Sequence, residues 1–425
     1  MTGVTPFMIL TMIRSCNPGY LHHLKATLHF VDQLAKANQR YWQVLPVGPT
    51  SYGDSPYQSF SAFAGNPYFI DLEMLEEEGL LKKEDMEAYD WGDSLAYVDY
   101  EKIYNNRFSV LKKAYKASSF QKEKEYRKFV KENTYWLEDY SLYMALKFYF
   151  GGIEWDQWED EIRMHKKSAV AHYTKLLQSE IGFWKFCQYK FYSQWKKLKK
   201  YANKKDIKII GDIPLYMALD SADVWAHGEL FELDERKKPI HVAGVPPDCF
   251  SEDGQLWGNP IYNWKKMEHK GFAWWYQRMR SNANLYDVIR IDHFIGIVNY
   301  WSIPADSQTA ILRCIIMWQI FICSIFIIKC KKKDFHARPS GLLDQCSDII
   351  PDNAKILGND RSSFRCFFDD LGQLFARSFF PFAINCSLRI ASYMAVRMTM
   401  IRLSDIIKKK EGFSCPAIRS FGSML

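Results

Sequence analysis

The chain has 425 residues, 48% of them hydrophobic and 25% charged. That composition belongs to a folded globular protein and excludes a disordered tail protein, a collagen-like repeat or a small disulfide scaffold. The length allows two or three average domains, or one large barrel with insertions. The net charge of +7 is unevenly placed: residues 306–425 hold 17 Lys+Arg against 10 Asp+Glu, so the first 305 residues are neutral.

Other residue types change at the same point. Thirteen of the 14 Trp and 24 of the 25 Tyr precede position 306, whereas seven of the 10 Cys follow it, and Glu411 is the single Glu beyond it. Cys16, Cys187 and Cys249 are too few and too far apart for a secreted disulfide framework. The apolar run 6–13 has no basic residues ahead of it, unlike a signal peptide. A reduced, cytoplasmic protein is expected. The tail cysteines form no CxxC pair, so no metal site is expected. The apolar run 314–328, followed by lysines, is shorter than the roughly 20 residues of a membrane span. A buried or spurious segment is therefore expected there, with a membrane tether the lesser alternative.

In chain order, residues 31–39 read as the end of an amphipathic helix and 41–45 (YWQVL) as a short strand stopped by Pro46 and Pro49. Residues 50–70 form a Ser/Gly/Pro/aromatic loop without helical period, and a loop of that length usually carries function. Residues 72–200 are mainly helical, most clearly over 135–150. The runs 207–210 (IKII) and 288–291 (VIRI) read as buried parallel strands, each leading into an acidic residue, Asp212 and Asp292. Barrel enzymes place catalytic carboxylates at such strand ends. The fold expected is α/β: a (β/α)8 TIM-type barrel with helical insertions.

Arg290, two residues before Asp292, lies on the same strand face, and a cation there keeps a carboxylate ionised. An ionised carboxylate beside a sugar ring attacks the anomeric carbon or stabilises an oxocarbenium ion. Equally, Asp292 caps the next helix and Arg290 simply pairs with it; Asp212 has the same two readings. His293 is either a packed strand-end histidine or a ligand, and it has no HxH or HxxxH partner for a metal. Ser55 and Tyr57 in loop 50–70, with Trp257 and Asn259 in the Gly/Pro-rich loop 244–263, combine flat aromatic faces with hydrogen-bonding groups as sugar sites do. A neutral family-like region without a basic stripe does not suit nucleic acid.

The strings YWQVLPVGPTSYGDSPYQSFSAFAGNPYFIDL (41–72), IIGDIPLYMALDSADVWAHGELF (209–231), AGVPPDCFSEDGQLWGNPIYNW (243–264) and VIRIDHFIGIVNYWSIPA (288–305) closely resemble, in order, the 4-alpha-glucanotransferases. These are the amylomaltases or disproportionating enzymes of glycoside hydrolase family 77. The resemblance covers residues 30–305, with a helical insertion at about 72–200. It implies transfer of α-1,4-glucan segments from a maltooligosaccharide or starch-derived donor to a sugar acceptor, with retention and without metal or cofactor. It further implies Asp292 as nucleophile, Arg290 as the cation holding it ionised, and Ser55, Tyr57, Asp212, Trp257, Asn259 and His293 at the donor sugar.

Retaining enzymes place an acid/base roughly 5–5.5 Å from the nucleophile; in the family this is a Glu in a motif like AEDLG, with a His-Asp pair in one like THDN. Neither motif is present, and Asp369 in FDDLG is the remaining candidate for the acid. Residues 1–29 do not match the family's opening strand. A barrel incomplete at both ends is therefore expected, with 1–29 and the basic, Cys-rich tail 306–425 as out-of-frame text. The alternative function is a catalytically impaired maltodextrin-binding remnant that lacks the general acid/base.

Overall fold

A computed structural model describes residues 8–11, 23–51, 53–92, 98–248, 251–297, 299–311 and 314–317. Asp369 and most of the run 314–328 lie outside them.

Eight strands are described: β1 Met8–Thr11, β2 Tyr41–Val44, β3 Lys208–Ile213, β4 His241–Val245, β5 Gln255–Pro260, β6 Val288–Ile291, β7 Asn299–Pro304 and β8 Cys314–Met317. The helices are α1 His23–Lys36, α2 Leu72–Glu77, α3 Lys83–Glu87, α4 Tyr100–Ala117, α5 Lys124–Tyr149, α6 Asp160–Arg163, α7 Lys167–Leu176, α8 Gln178–Lys204, α9 Ala222–Ala226, α10 Trp264–His269 and α11 Ala273–Leu285. The class is α/β.

One sheet runs β1-β2-β3-β6 and is parallel throughout. β1 is a departure from the sequence reading, which found no first strand in residues 1–29. Its MILT text carries no family motif, yet it pairs residue for residue with β2. Strands β2, β3 and β6 fall where the apolar runs predict them. A second sheet, β5-β4-β7-β8, includes antiparallel pairs β4–β7 and β7–β8. The stretch 244–263, expected to be a loop, therefore contains β5: its Gly and Pro residues flank and punctuate a strand. Val245–Gln255 and Thr309–Ile311 belong to a second compact unit. In its described part, Ser251 Oγ donates to the Gly254 carbonyl at 2.6 Å and Ala310 N–H to the Asp253 carbonyl at 3.1 Å.

Strand alternation gives the parallel sheet two unlike faces. Trp42, Val44, Ile209, Ile213 and Ile291 are buried on one. The register puts Gln43, Asp212 and Arg290 on the other. The apolar face is covered from α1, where Phe30 meets Trp42 edge-on, and from the end of α11, where Tyr286 lies over Gly211. A Cβ at Gly211 would stand 2.1 Å from the Tyr286 ring, so glycine is what lets the helix layer approach the strand here. The polar face bears the candidate site.

Between β2 and β3 the chain makes the helical insertion, in which α5 and α8 pack along each other. It holds loop 50–70 through buried polar side chains. Gln188 donates to the Gly65 carbonyl and accepts from the Gly65 N–H, both at 2.8 Å; Gln194 does the same for Asp71 at 3.1 and 2.7 Å. Tyr192 donates to the Phe63 carbonyl at 2.6 Å, and from α9, beyond β3, Asp223 accepts from Ala62 N–H at 2.8 Å. Beyond the single antiparallel bridge Thr50–Ser59, backbone groups of this loop are thus satisfied from neighbouring helices.

Candidate active site

Asp212 is the penultimate residue of β3, and its register partner on β6 is Arg290. Asp292 follows β6 directly, and its N–H donates to the Ile213 carbonyl at 2.9 Å, continuing the ladder one step. Arg290 therefore reaches both acids. Its Nη1 donates to Asp212 Oδ2 at 2.6 Å and its Nη2 to Asp292 Oδ1 at 2.8 Å. Arg290 thus pairs with both carboxylates through separate nitrogens. Asp212 is fully buried, whereas the Asp292 side chain is 37% exposed.

Tyr57 completes the Asp212 environment, donating its hydroxyl to Oδ2 at 2.8 Å. The other oxygen, Oδ1, is buried and makes no hydrogen bond among the described residues. Burial pushes the Asp212 carboxyl up to about 6, against the pull of Arg290 and the Tyr57 hydrogen bond. Burial, with the Asp212 charge, also holds the Tyr57 phenol well above its ordinary range.

An aromatic wall stands beside the acids. His293 has φ of 51°, a left-handed conformation rare outside glycine, and its ring meets Trp257 edge-on at 4.9 Å. Tyr216 lies 6.3 Å from both rings. Burial lowers the His293 imidazole from its usual value, while Asp292 pulls the other way. The protonation switch available to an open histidine is thus biased toward the neutral form.

The remaining predicted residues sit nearby in supporting positions. Asn259, 5% exposed, donates to the Met217 carbonyl at 2.9 Å and exchanges longer hydrogen bonds with Gln58 at 3.3 and 3.4 Å. Its amide is thus engaged within the protein. Ser55 Oγ accepts from Tyr57 N–H at 3.4 Å, a weak contact within the loop. A small cavity beside Asp212 is lined by Tyr57, Ser61, Tyr216, Met217 and Arg278. The sequence reading did not name Tyr216, and Gln58 was noted only as part of the loop string around Tyr57. Tyr216, four residues beyond Asp212 at a strand end, was open to the same strand-end rule; Gln58 is tied to Asn259 by a contact 201 residues apart that leaves no local signal.

Among the described residues no His/Cys/Asp/Glu group could hold a metal, and no helix is long and apolar enough to cross a membrane. Cys187 is free and buried.

A family model described as 4-alpha-glucanotransferase matches residues 10–320. The chain belongs to the 4-alpha-glucanotransferase family. The match begins inside the opening segment that the sequence motifs did not reach. This family member is 51% identical over 287 residues to the 4-alpha-glucanotransferase of Clostridium butyricum, covering 67% of this chain and 59% of that one. It is 46% identical over 286 residues to that of Thermus thermophilus, covering 66% and 56%. The chain thus spans less than two thirds of the length of these relatives. Its fold matches an amylomaltase from Streptococcus agalactiae, solved in complex with acarbose, with a TM-score of 0.71 and 40% identity over 76% of this chain and 67% of that one.

Proposed function

We propose that this protein is a 4-alpha-glucanotransferase that moves α-1,4-glucan segments between maltooligosaccharides by retaining double displacement. The observation carrying the proposal is the single guanidinium of Arg290 bridging Asp212 and Asp292 at the ends of adjacent parallel strands. The amylomaltase matched in fold was solved with acarbose, a sugar analogue, which supports a glucan as ligand. The β1-β2-β3-β6 sheet is read as part of a (β/α)8 barrel whose site lies at the C-terminal strand ends. The cytoplasm is the proposed compartment.

In this reading Asp292 is the nucleophile. Its partly exposed carboxylate attacks the anomeric carbon of the donor sugar as the glycosidic oxygen leaves with a proton from a general acid, forming a glucosyl-enzyme ester. An acceptor hydroxyl then attacks the same carbon, gives its proton to the conjugate base, and frees Asp292 with configuration retained. No residue in the described part is assigned the acid. Arg290 holds the nucleophile in place through Nη2 while its Nη1 is kept by Asp212. Asp212 and Tyr57 bind the donor sugar's hydroxyls, with the Trp257 ring beside its apolar face and Tyr216 and His293 packed at an angle against that ring. Ser55 and Asn259 shape the loops that present these groups.

Incubation with maltotriose tests the proposal. Glucose together with maltodextrins longer than the substrate is expected. Protein folded by circular dichroism that leaves maltotriose unchanged would overturn it.

A further inference from the structure

Arg278, on α11, is 2% exposed and lines the same cavity as Asp212 and Tyr216, with no hydrogen bond to either. Its Nη1 donates to the Leu215 carbonyl at 2.9 Å and its Nη2 to the Pro214 carbonyl at 2.6 Å. Nη1 also lies 3.3 Å from the Tyr262 hydroxyl, which itself donates to the Leu215 carbonyl at 2.7 Å. The guanidinium carbon sits 5.4 and 5.0 Å from the ring centres of Trp274 and Trp275. No carboxylate lies within ion-pair distance among the described residues.

A buried cation with no ion pair among the described residues, only the more distant charge of Asp223, is a costly way to fill space. What this one does is hold carbonyls. Pro214 has no N–H, so the chain leaves the sheet after Ile213, and the turn that follows has no ladder to fix it. Its carbonyls at 214 and 215 go to Arg278, that at 215 also to Tyr262, and that at 217 to Asn259. The same turn has Asp212 immediately upstream and carries Tyr216.

We infer that Arg278 is a positioning residue: by anchoring the Pro214 and Leu215 carbonyls from the helix layer, it sets the placement of Asp212 and the Tyr216 ring. Its consequence for sugar binding rests on the glucan-site reading above; the anchoring itself does not.

The test uses the full chain and the variants Arg278→Met and Arg278→Lys. Three quantities are read: amide exchange over residues 211–219, the titration midpoint of Asp212 by carboxyl-carbon NMR, and maltohexaose affinity by tryptophan fluorescence. In folded R278M, exchange over the turn rises about tenfold or more. The Asp212 midpoint falls by about one pH unit as water reaches the carboxyl, and affinity weakens about tenfold. R278K, a point donor able to serve one carbonyl, falls between the two. A folded R278M with unchanged exchange and midpoint would overturn the inference. If R278M does not fold, unchanged values in R278K overturn it instead. Wild-type protein that does not bind maltohexaose counts against the glucan reading, while exchange and midpoint still decide the role of Arg278.

Discussion

Asp212 and Arg290 occupy one register position on adjacent parallel strands, and the guanidinium joins the buried Asp212 to the partly exposed Asp292, two residues beyond it. One cation thus serves two acids with different surroundings. Asp212, fully buried, is pushed up by desolvation; Asp292 keeps an open side toward solvent. Environments that differ in this way let neighbouring carboxyls take different roles.

Replacing Asp292 with Asn removes the nucleophile and keeps the shape. Transfer between maltodextrins is expected to fall at least about 10³-fold, with maltohexaose affinity nearly unchanged. Product chromatography and fluorescence titration check the two halves separately.

Replacing Arg290 with Gln should cost at least about 100-fold in transfer rate, because the nucleophile loses its fixed donor. The Asp212 midpoint should also rise beyond about 6, since the arginine is the principal influence holding it down. Tyr57→Phe should raise the midpoint as well, by less, through loss of one hydrogen bond. NMR of the Asp212 carboxyl measures both shifts.

The raised Asp212 carboxyl also fixes the sign of a stability change with pH. Its folded value, about 6, lies above its ordinary value of 3.8. The unfolded chain therefore releases this proton first, and the stability linked to it, full below about pH 4, is lost as pH rises through about 6. Compared with Asp212→Asn, the wild type should gain on the order of 2–3 kcal/mol between pH 6.5 and 3.5. Denaturant unfolding of both proteins across that window gives the difference directly; a difference independent of pH would contradict it.

Gly211→Ala puts a methyl group into the Tyr286 ring. Overpacking of this kind costs about 1–3 kcal/mol, which should appear as a lowered melting temperature. Gln188→Leu tests the support of loop 50–70 instead. It strands the Gly65 N–H and carbonyl in a buried setting, at about 1–3 kcal/mol for each group left unpaired.

The positions of β2, β3 and β6 were legible because an apolar run with a sharp polar or proline stop is a local signal, and the helical insertion because 3.6-residue periodicity is one too. Asp212, Arg290 and Asp292 stood out for a similar reason: an acidic residue at a strand end is visible within a few residues of text. β1 was not legible, since its four residues become a strand only by pairing with β2. Trp257 was read in a loop and lies in β5 because glycine and proline mark turns but do not say which residues between them will pair.

The sequence by itself determined the alternation that puts Arg290 and Asp292 on one side of a strand, the family text around them, and the neutrality of the region that carries both. Tertiary structure alone decided that Asp212 shares their guanidinium, that Tyr57 reaches it across 155 positions, that Asn259 is engaged by a backbone carbonyl, and that Arg278 anchors the turn beyond β3. The physical reason is the same in each case. Propensity and alternation act over a few residues, whereas burial, hydrogen bonding and charge depend on what the fold brings within a few ångströms, whatever the separation along the chain.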